Sequence, residues 1–338
     1  MKITFQFFDL PLQHPFTISR YTVNIQKTVI VCISDGIHFG YGEATANPYY
    51  HSTQERLTAS LLKAKPIVDA SSEMHPSELW QQLSKIISDD YFALCAVDIA
   101  YWDFYARKNQ KTLRSYWSEE NPKTPLTSYT IAIDSLAMMQ QKIIEKPWPI
   151  YKIKLGMPND IEIVKHLREI TDAVFRIDAN CAWTAEQTIV NAKILKELNV
   201  EFIEQPLKAE DIEGMKLVKQ QSILPIIADE SCQREEDVES CSEIFHGINI
   251  KLMKCGGITP ALRMIENARS KGLLLMAGCM TESTVGISGL SQIASLLDYL
   301  DADGALLLSS DIADGVRFDY GEINYAKAFG TGVKMHQQ

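Results

Sequence analysis

No stretch of these 338 residues is an apolar run of membrane-spanning length, and Met1 to Pro15 alternates apolar and polar residues instead of forming a continuous secretion-signal segment. The seven cysteines are an odd number with no C-x-x-C pair. They read as buried or free thiols in a reducing compartment rather than as a disulfide framework. Positive charge is in deficit, 33 Lys and Arg against 43 Asp and Glu, and the net charge of −10 argues against nucleic acid as a partner. The seven histidines, His14, His38, His51, His75, His166, His246 and His336, form no pair at metal-ligand spacing. A cytoplasmic enzyme that meets neither membrane nor nucleic acid is the simplest expectation. Apolar residues are plentiful at 46%, enough for a large core, and the length suits one barrel plus a smaller domain.

Charged residues stand at the ends of short apolar runs. Ile150-Tyr-Lys152-Ile-Lys154-Leu-Gly156 reads as a strand in which Lys152 and Lys154 share a face. Val-Phe-Arg-Ile-Asp178-Ala-Asn180, Val200-Glu-Phe-Ile-Glu204-Gln-Pro and Leu224-Pro-Ile-Ile-Ala-Asp229-Glu230 each end on a carboxylate, and Gly247-Ile-Asn-Ile-Lys251 ends on a lysine. Counted from Lys152, these positions recur after 26, 26, 25 and 22 residues, about one strand, one helix and two short loops. That period predicts a (β/α)7-8 TIM-type barrel, whose strand ends gather Lys152, Lys154, Asp178, Glu204, Asp229 and Lys251 at one mouth.

Three carboxylates held together repel unless they share a cation, and an all-oxygen ligand set suits Mg2+ better than zinc. Such an ion, with a substrate carboxylate beside it, would stabilise the enediolate formed when the neighbouring carbon loses a proton. Lysines on strands two and six flank that carbon from opposite sides, one removing the proton and the other replacing it. Mg2+ and the neighbouring ammonium are expected to lower the lysine pKa toward neutrality.

Tyr-Lys152-Ile-Lys154-Leu-Gly, Asp178-Ala-Asn180, Glu204-Gln-Pro, Ala-Asp229-Glu230-Ser and Asn-Ile-Lys251-Leu-Met-Lys254-Cys-Gly-Gly together resemble the enolase superfamily in its muconate-lactonising subgroup, over almost the whole chain. The resemblance implies Asp178, Glu204 and Asp229 as Mg2+ ligands, Lys154 and Lys251 as the acid/base pair, and Lys152 beside the substrate carboxylate. It also implies a capping domain whose first loop closes over the substrate.

That domain is expected over residues 1–120 as an α+β unit, the barrel over 121–316, and 317–338 as a segment returning to the cap. Ile3 to Phe8 and Thr28 to Ile33 read as strands, Asp35-Gly36 as a hairpin turn into Ile37 to Glu43, and Pro15 to Thr22 as a loop. Gly40-Tyr-Gly-Glu43-Ala44 matches the end of the family's capping sheet. Ala93 to Tyr105 shows helical spacing. Leu126 to Ile133 would be the first barrel strand, with Thr130 near the mouth as a substrate contact. Gly272 to Ala277 would be the seventh, leading into Cys279-Met280-Thr281-Glu282, whose backbone is placed to bind substrate. No histidine adjoins Cys279 in sequence, so it reads as a small strand-end residue and not as a nucleophile. Gly304 to Leu308 would be the eighth strand, preceded by Asp301-Ala-Asp303.

Dipeptide epimerases of this subgroup carry an Asp-x-Asp at that place for the substrate α-ammonium, so the resemblance points Asp301 and Asp303 to that role. Succinylbenzoate synthases, N-acylamino acid racemases and cycloisomerases share the lysine pattern and remain the alternative; a non-catalytic barrel binding metal and small acids is a distant one. Superfamily members that need a late-strand histidine are disfavoured, because none lies between His246 and His336. In the capping loop the position that pairs with a distal carboxylate in Ala-Glu epimerases falls on Tyr21, one beyond Arg20. Ala-Glu, Ala-Ala and hydrophobic dipeptides therefore all stay open as substrates, as does assembly into a homo-oligomer.

Overall fold

The computed structural model describes residues 1–18, 22–71, 73–119 and 122–337. The alternation that starts at Ile3 forms a longer strand than expected. β1 spans Lys2–Thr17 and pairs antiparallel with β2 (Thr22–Ser34), which pairs in turn with β3 (Phe39–Thr45) across the Asp35-Gly36 turn. Within the expected Pro15 to Thr22 loop, Pro15 to Thr17 and Thr22 are thus strand. The ladder is interrupted between Pro11 and Phe16, where two prolines each lack an N–H to donate. The resulting arm is pinned to the rest of the chain: Ile133 N donates to Thr17 O at 3.1 Å and Ser309 N to Pro11 O at 2.8 Å.

Three helices back this sheet, α1 (Gln54–Asp69), α2 (Pro76–Ile86) and α3 (Tyr91–Lys108). α3 is apolar on nearly every side and buried along most of its length, as a helix inside a core must be. It lies directly against β3, because a Cβ at Gly40 or Gly42 would stand 2.1 Å from its backbone.

Eight parallel strands follow: β4 (Tyr129–Ile131), β5 (Ile150–Lys154), β6 (Val174–Asp178), β7 (Val200–Glu204), β8 (Ile226–Ala228), β9 (Gly247–Lys251), β10 (Leu274–Gly278) and β11 (Tyr299–Asp301). They are hydrogen-bonded in chain order, and a Thr127–Leu300 bridge brings the last back to the first. Helices α4 (Leu136–Glu145), α5 (Asp160–Arg168), α6 (Ala185–Glu197), α7 (Ile212–Gln221), α8 (Asp237–Ile244), α9 (Leu252–Cys255), α10 (Ile258–Ser270) and α11 (Thr284–Ser291) occupy the connections. The architecture is the expected α/β barrel with an N-terminal α+β sheet domain. Phe202, Ile227 and Met276 fill part of the barrel interior. Arg176 points inward beneath the mouth, donating to Glu201 Oε2 and Leu300 O, with the rings of Phe202 and Tyr299 5.5 and 5.1 Å from its guanidinium.

One strand lies elsewhere than expected. The eighth is Tyr299–Asp301, in register with β10, and Gly304–Leu307 is a 3-10 helix. The leucine run borders the β1 arm, where Leu308 bridges Leu12, and does not pair within the barrel sheet; an apolar run alone does not distinguish those environments. Asp301 consequently ends a barrel strand instead of preceding one.

The chain closes with two short pairs, β12 (Ala313–Asp314) with β15 (Lys334–Met335), and β13 (Arg317–Asp319) with β14 (Glu322–Asn324). We propose the division 1–120, 121–316 and 317–338. Support for the last segment comes from α3, where Asp103 Oδ1 accepts from Thr331 N at 2.7 Å and Arg107 donates to Val333 O at 2.7 Å. No helix among the described residues is long and apolar enough to cross a membrane.

Candidate active site

Strand register levels the charged residues. Lys154 pairs with Asp178 and Asp178 with Glu204, while Gly278 pairs with both Lys251 and Asp301. Parallel strands of nearly equal length thereby present one ring of side chains at their C-terminal ends. Asp229 lies one residue beyond β8, and its turn is held by Gln205, whose Oε1 accepts from Asp229 N and Ser231 N at 2.9 and 3.1 Å.

Asp178, Glu204 and Asp229 are all buried, and one carboxylate oxygen from each lies within 4.8 Å of the others. Lys154 Nζ donates to Asp178 Oδ2 at 2.6 Å and Lys251 Nζ to Asp229 Oδ2 at 2.8 Å. Lys152 Nζ sits centrally, 2.8 Å from Glu204 Oε2, 2.9 Å from Asp301 Oδ2 and 3.2 Å from Asp178 Oδ2. The contact with Glu204 lacks hydrogen-bond geometry, so Glu204 Oε2 is a buried oxygen that accepts no hydrogen bond. A buried carboxylate oxygen that accepts no hydrogen bond, beside two further carboxylates in an all-oxygen donor set, fits a hard divalent cation such as Mg2+.

Burial raises the carboxyl pKa values and nearby charge corrects them. Burial would raise Asp178, but the Lys154 and Lys152 ammonium groups hold it at about 2. Glu204 is pushed up to about 7 by burial and by the charge of Asp178. Burial would lower Lys251, yet the carboxylates of Asp229 and Glu204 outweigh it and hold the ammonium above its ordinary value. The expected lowering of that lysine is therefore not what the protein's own charges produce. A cation shared by the same carboxylates acts in the lowering direction.

Thr130, Lys152, Lys154, Asp229, Lys251, Cys279, Met280, Thr281, Asp301 and Asp303 line one cavity at this mouth. Asp303 Oδ2 accepts from Thr130 N at 2.6 Å, and burial together with Asp301 raises its carboxyl to about 7. Asp301 also accepts from Ser128 Oγ at 2.7 Å. Burial pushes the Cys279 thiol well up, against any role as a thiolate nucleophile. Arg20 and Tyr21 lie outside the described residues.

Other lining residues carry no sequence signal that singles them out. Phe16, Ile18 and Val23 come from the β1–β2 arm, and Asn47, Tyr49 and Tyr50 from the turn after β3. Asn249 and Lys254 are also recruited, donating to Glu204 Oε1 at 2.8 Å and Asp229 Oδ1 at 2.6 Å. Asn249 was legible in principle, because it lies two residues before Lys251 on the same strand face.

Comparison with known families matches residues 135–338 to the family described as Enolase C-terminal domain-like, and residues 2–115 to Mandelate racemase / muconate lactonizing enzyme, N-terminal domain. The chain belongs to the enolase superfamily. Among superfamily relatives, the L-Ala-D/L-amino acid epimerase of Flavobacterium johnsoniae is 50% identical over 99% of this chain and 100% of its own. The L-Ala-D/L-Glu epimerase of Bacteroides thetaiotaomicron is 36% identical, over 98% of this chain and 88% of that protein. A solved superfamily structure, the dipeptide epimerase from Enterococcus faecalis V583 complexed with Mg and the dipeptide L-Leu-L-Tyr, superposes with a TM-score of 0.90 at 29% identity, covering 99% of both chains.

Proposed function

We propose that this protein is a Mg2+-dependent dipeptide epimerase, an isomerase that inverts the α-carbon of the second residue. The observation that carries the reading is the pair of lysines on β5 and β9, four strands apart in an eight-strand ring and therefore on opposite sides of the mouth, with the buried carboxylate triad between them. The epimerase relatives support the same reaction.

Asp178, Glu204 and Asp229 would hold Mg2+, which supplies positive charge against the carboxylate as it gains electron density. Lys154 as the free amine takes the α-proton from one face, and Lys251 as the ammonium returns a proton to the other; for the opposite epimer the two exchange roles. Lys152 steadies the substrate carboxylate. Asp301 and Asp303 receive the α-ammonium, with Thr130 and the Cys279-Met280-Thr281 segment completing the contacts. Among the described lining residues the only cations are Lys152, Lys154 and Lys251, and Phe16, Ile18, Val23, Tyr49 and Tyr50 form a mostly apolar wall. That wall supports an uncharged second residue, and on it we propose Ala-Ala and hydrophobic dipeptides ahead of Ala-Glu.

Proton exchange in D2O with Mg2+, followed by NMR over Ala-Ala, Ala-Phe, Ala-Glu and an N-succinyl amino acid, tests the reading. Deuterium is expected at the second α-carbon of the uncharged dipeptides, with the diastereomer appearing. Exchange confined to the N-succinyl compound would replace it with the racemase alternative, and preference for Ala-Glu would assign the pocket a cation such as Arg20.

A further inference from the structure

Each carboxylate of the triad has two oxygens, and in every case one is taken by a donor outside the three lysines of the mouth. Asp178 Oδ1 accepts from the Asn180 backbone N–H at 3.0 Å, Glu204 Oε1 from Asn249 Nδ2 at 2.8 Å, and Asp229 Oδ1 from Lys254 Nζ at 2.6 Å. The other oxygens, Asp178 Oδ2, Glu204 Oε2 and Asp229 Oδ2, face the lysines Lys152, Lys154 and Lys251.

The outer donors are themselves fixed. Lys254 is 3% exposed and spends its ammonium on three acceptors, Asp229 Oδ1, Asp229 O at 2.6 Å and Cys232 O at 2.8 Å, so it cannot follow a rotating carboxylate. Asn249 is fully buried. Its Oδ1 has no partner, and turning the amide over would set that oxygen against the Glu204 carboxylate, so only one orientation is tenable. Room for the amide comes from Gly278, where a Cβ would lie 2.8 Å from both Asn249 Nδ2 and Oδ1. A packing role alone would be met by an apolar side chain with no orphaned oxygen.

We propose that Asn249 and Lys254 are positioning residues that confine Glu204 and Asp229 to one metal-facing oxygen each, and that this confinement sets the preference of the site for Mg2+ over Ca2+. Mg2+ takes six ligands at short distance, whereas Ca2+ takes six to eight and accepts carboxylates through both oxygens. A carboxylate freed of its outer donor can rotate to chelate the larger ion. The inference rests on the assignment of Asp178, Glu204 and Asp229 as the Mg2+ ligands.

Calorimetric titration of the full-length protein with Mg2+ and with Ca2+ tests it, on the wild type, Asn249→Ser, Lys254→Met and Gly278→Ala, with Glu204→Gln as the control for the ligand set. The outer variants are expected to weaken Mg2+ about 10- to 100-fold, the usual range when a partner of a ligand is removed, and to weaken Ca2+ less, so that the ratio of the two dissociation constants moves toward Ca2+ by about fivefold or more. Equal weakening of both ions, or no change in either, overturns the proposal. Unchanged Mg2+ binding in Glu204→Gln overturns the ligand assignment instead. Should Lys254→Met fail to fold, Asn249→Ser and Gly278→Ala decide the matter, because neither removes a buried charge.

Discussion

At Lys154 and Lys251 one functional group meets two different partners, Asp178 on one side of the mouth and Asp229 on the other. Lys154→Ala and Lys251→Ala are each expected to reduce epimerisation about 10²- to 10⁴-fold, the usual worth of a positioned acid or base. Each variant should still wash deuterium into one epimer and not into the other; NMR exchange started separately from the two epimers reads this, and symmetric loss would deny the two-face arrangement. The aspartates divide differently. Asp301 is shared with Lys152, so Asp301→Asn should impair every substrate that carries the reacting carboxylate. Asp303 accepts from Thr130 N and has no lysine contact within salt-bridge distance among the described residues. Asp303→Asn is therefore expected to raise KM about tenfold for free dipeptides, as loss of a charged hydrogen bond does, and to leave an N-acetylated dipeptide unaffected. Equal effects on both substrates would make Asp303 structural.

The Asp35-Gly36 turn was legible at the scale of a single element because its residues act on their own neighbours. Asp35 Oδ1 accepts from the N–H groups of Ile37 and His38 at 2.9 and 2.7 Å, and Gly36 adopts φ 94°. Burial favours the neutral acid, but these amides and the His38 ring together outweigh it and hold the carboxyl at about 2. A folded pKa below the unfolded one gives stability that is present above about pH 4 and lost as pH falls toward 2. Asp35→Ala should thus cost about 1 kcal/mol at pH 7, and its gap to wild type should shrink between about pH 4 and 2 in urea titrations; a constant gap would mean that charge is not involved. β11 was misplaced for the opposite reason. Tyr299-Leu300-Asp301 is too short to announce itself, and only its pairing with β10 makes it a strand. The start of α10 likewise depends on another element, since Asp98 of α3 accepts from Thr259 N and Thr259 Oγ1 at 2.9 and 2.6 Å.

Across the whole molecule, the capping sheet and the barrel are joined next to the cavity by Glu43. Its carboxylate, fully buried, accepts from Ser283 N, Ser283 Oγ, Gly286 N and Thr28 Oγ1. Glu43→Ala would strand Ser283 N, Ser283 Oγ and Gly286 N, while Thr28 Oγ1 keeps Ala44 O at 3.0 Å, and should cost about 3 kcal/mol. It should also raise KM, because Ser283 directly follows the Cys279 to Glu282 segment; denaturant midpoints and initial rates check both, and stability loss with unchanged KM would separate the latch from the site. Mg2+ belongs to this scale as well. At a hundred times its Kd a ligand of the native state adds about 2.7 kcal/mol. Melting points should accordingly fall by several degrees in EDTA and recover on Mg2+ addition, and a midpoint indifferent to Mg2+ would count against the triad.

The sequence by itself determined the βα period, the level of the charged strand ends and the ionic character of the mouth. Strand alternation and repeat length are local properties, and a charge that closes an apolar run is visible in one dimension. Tertiary structure alone decided which groups complete that mouth. Lys254 and Gln205 act on a carboxylate and amides beyond another strand, Asn47 to Tyr50 arrive from a separate sheet, and Asp301 becomes a strand end only through its neighbour. Such roles are contacts between residues distant in the chain, and no local pattern encodes a partner that only folding brings within 3 Å.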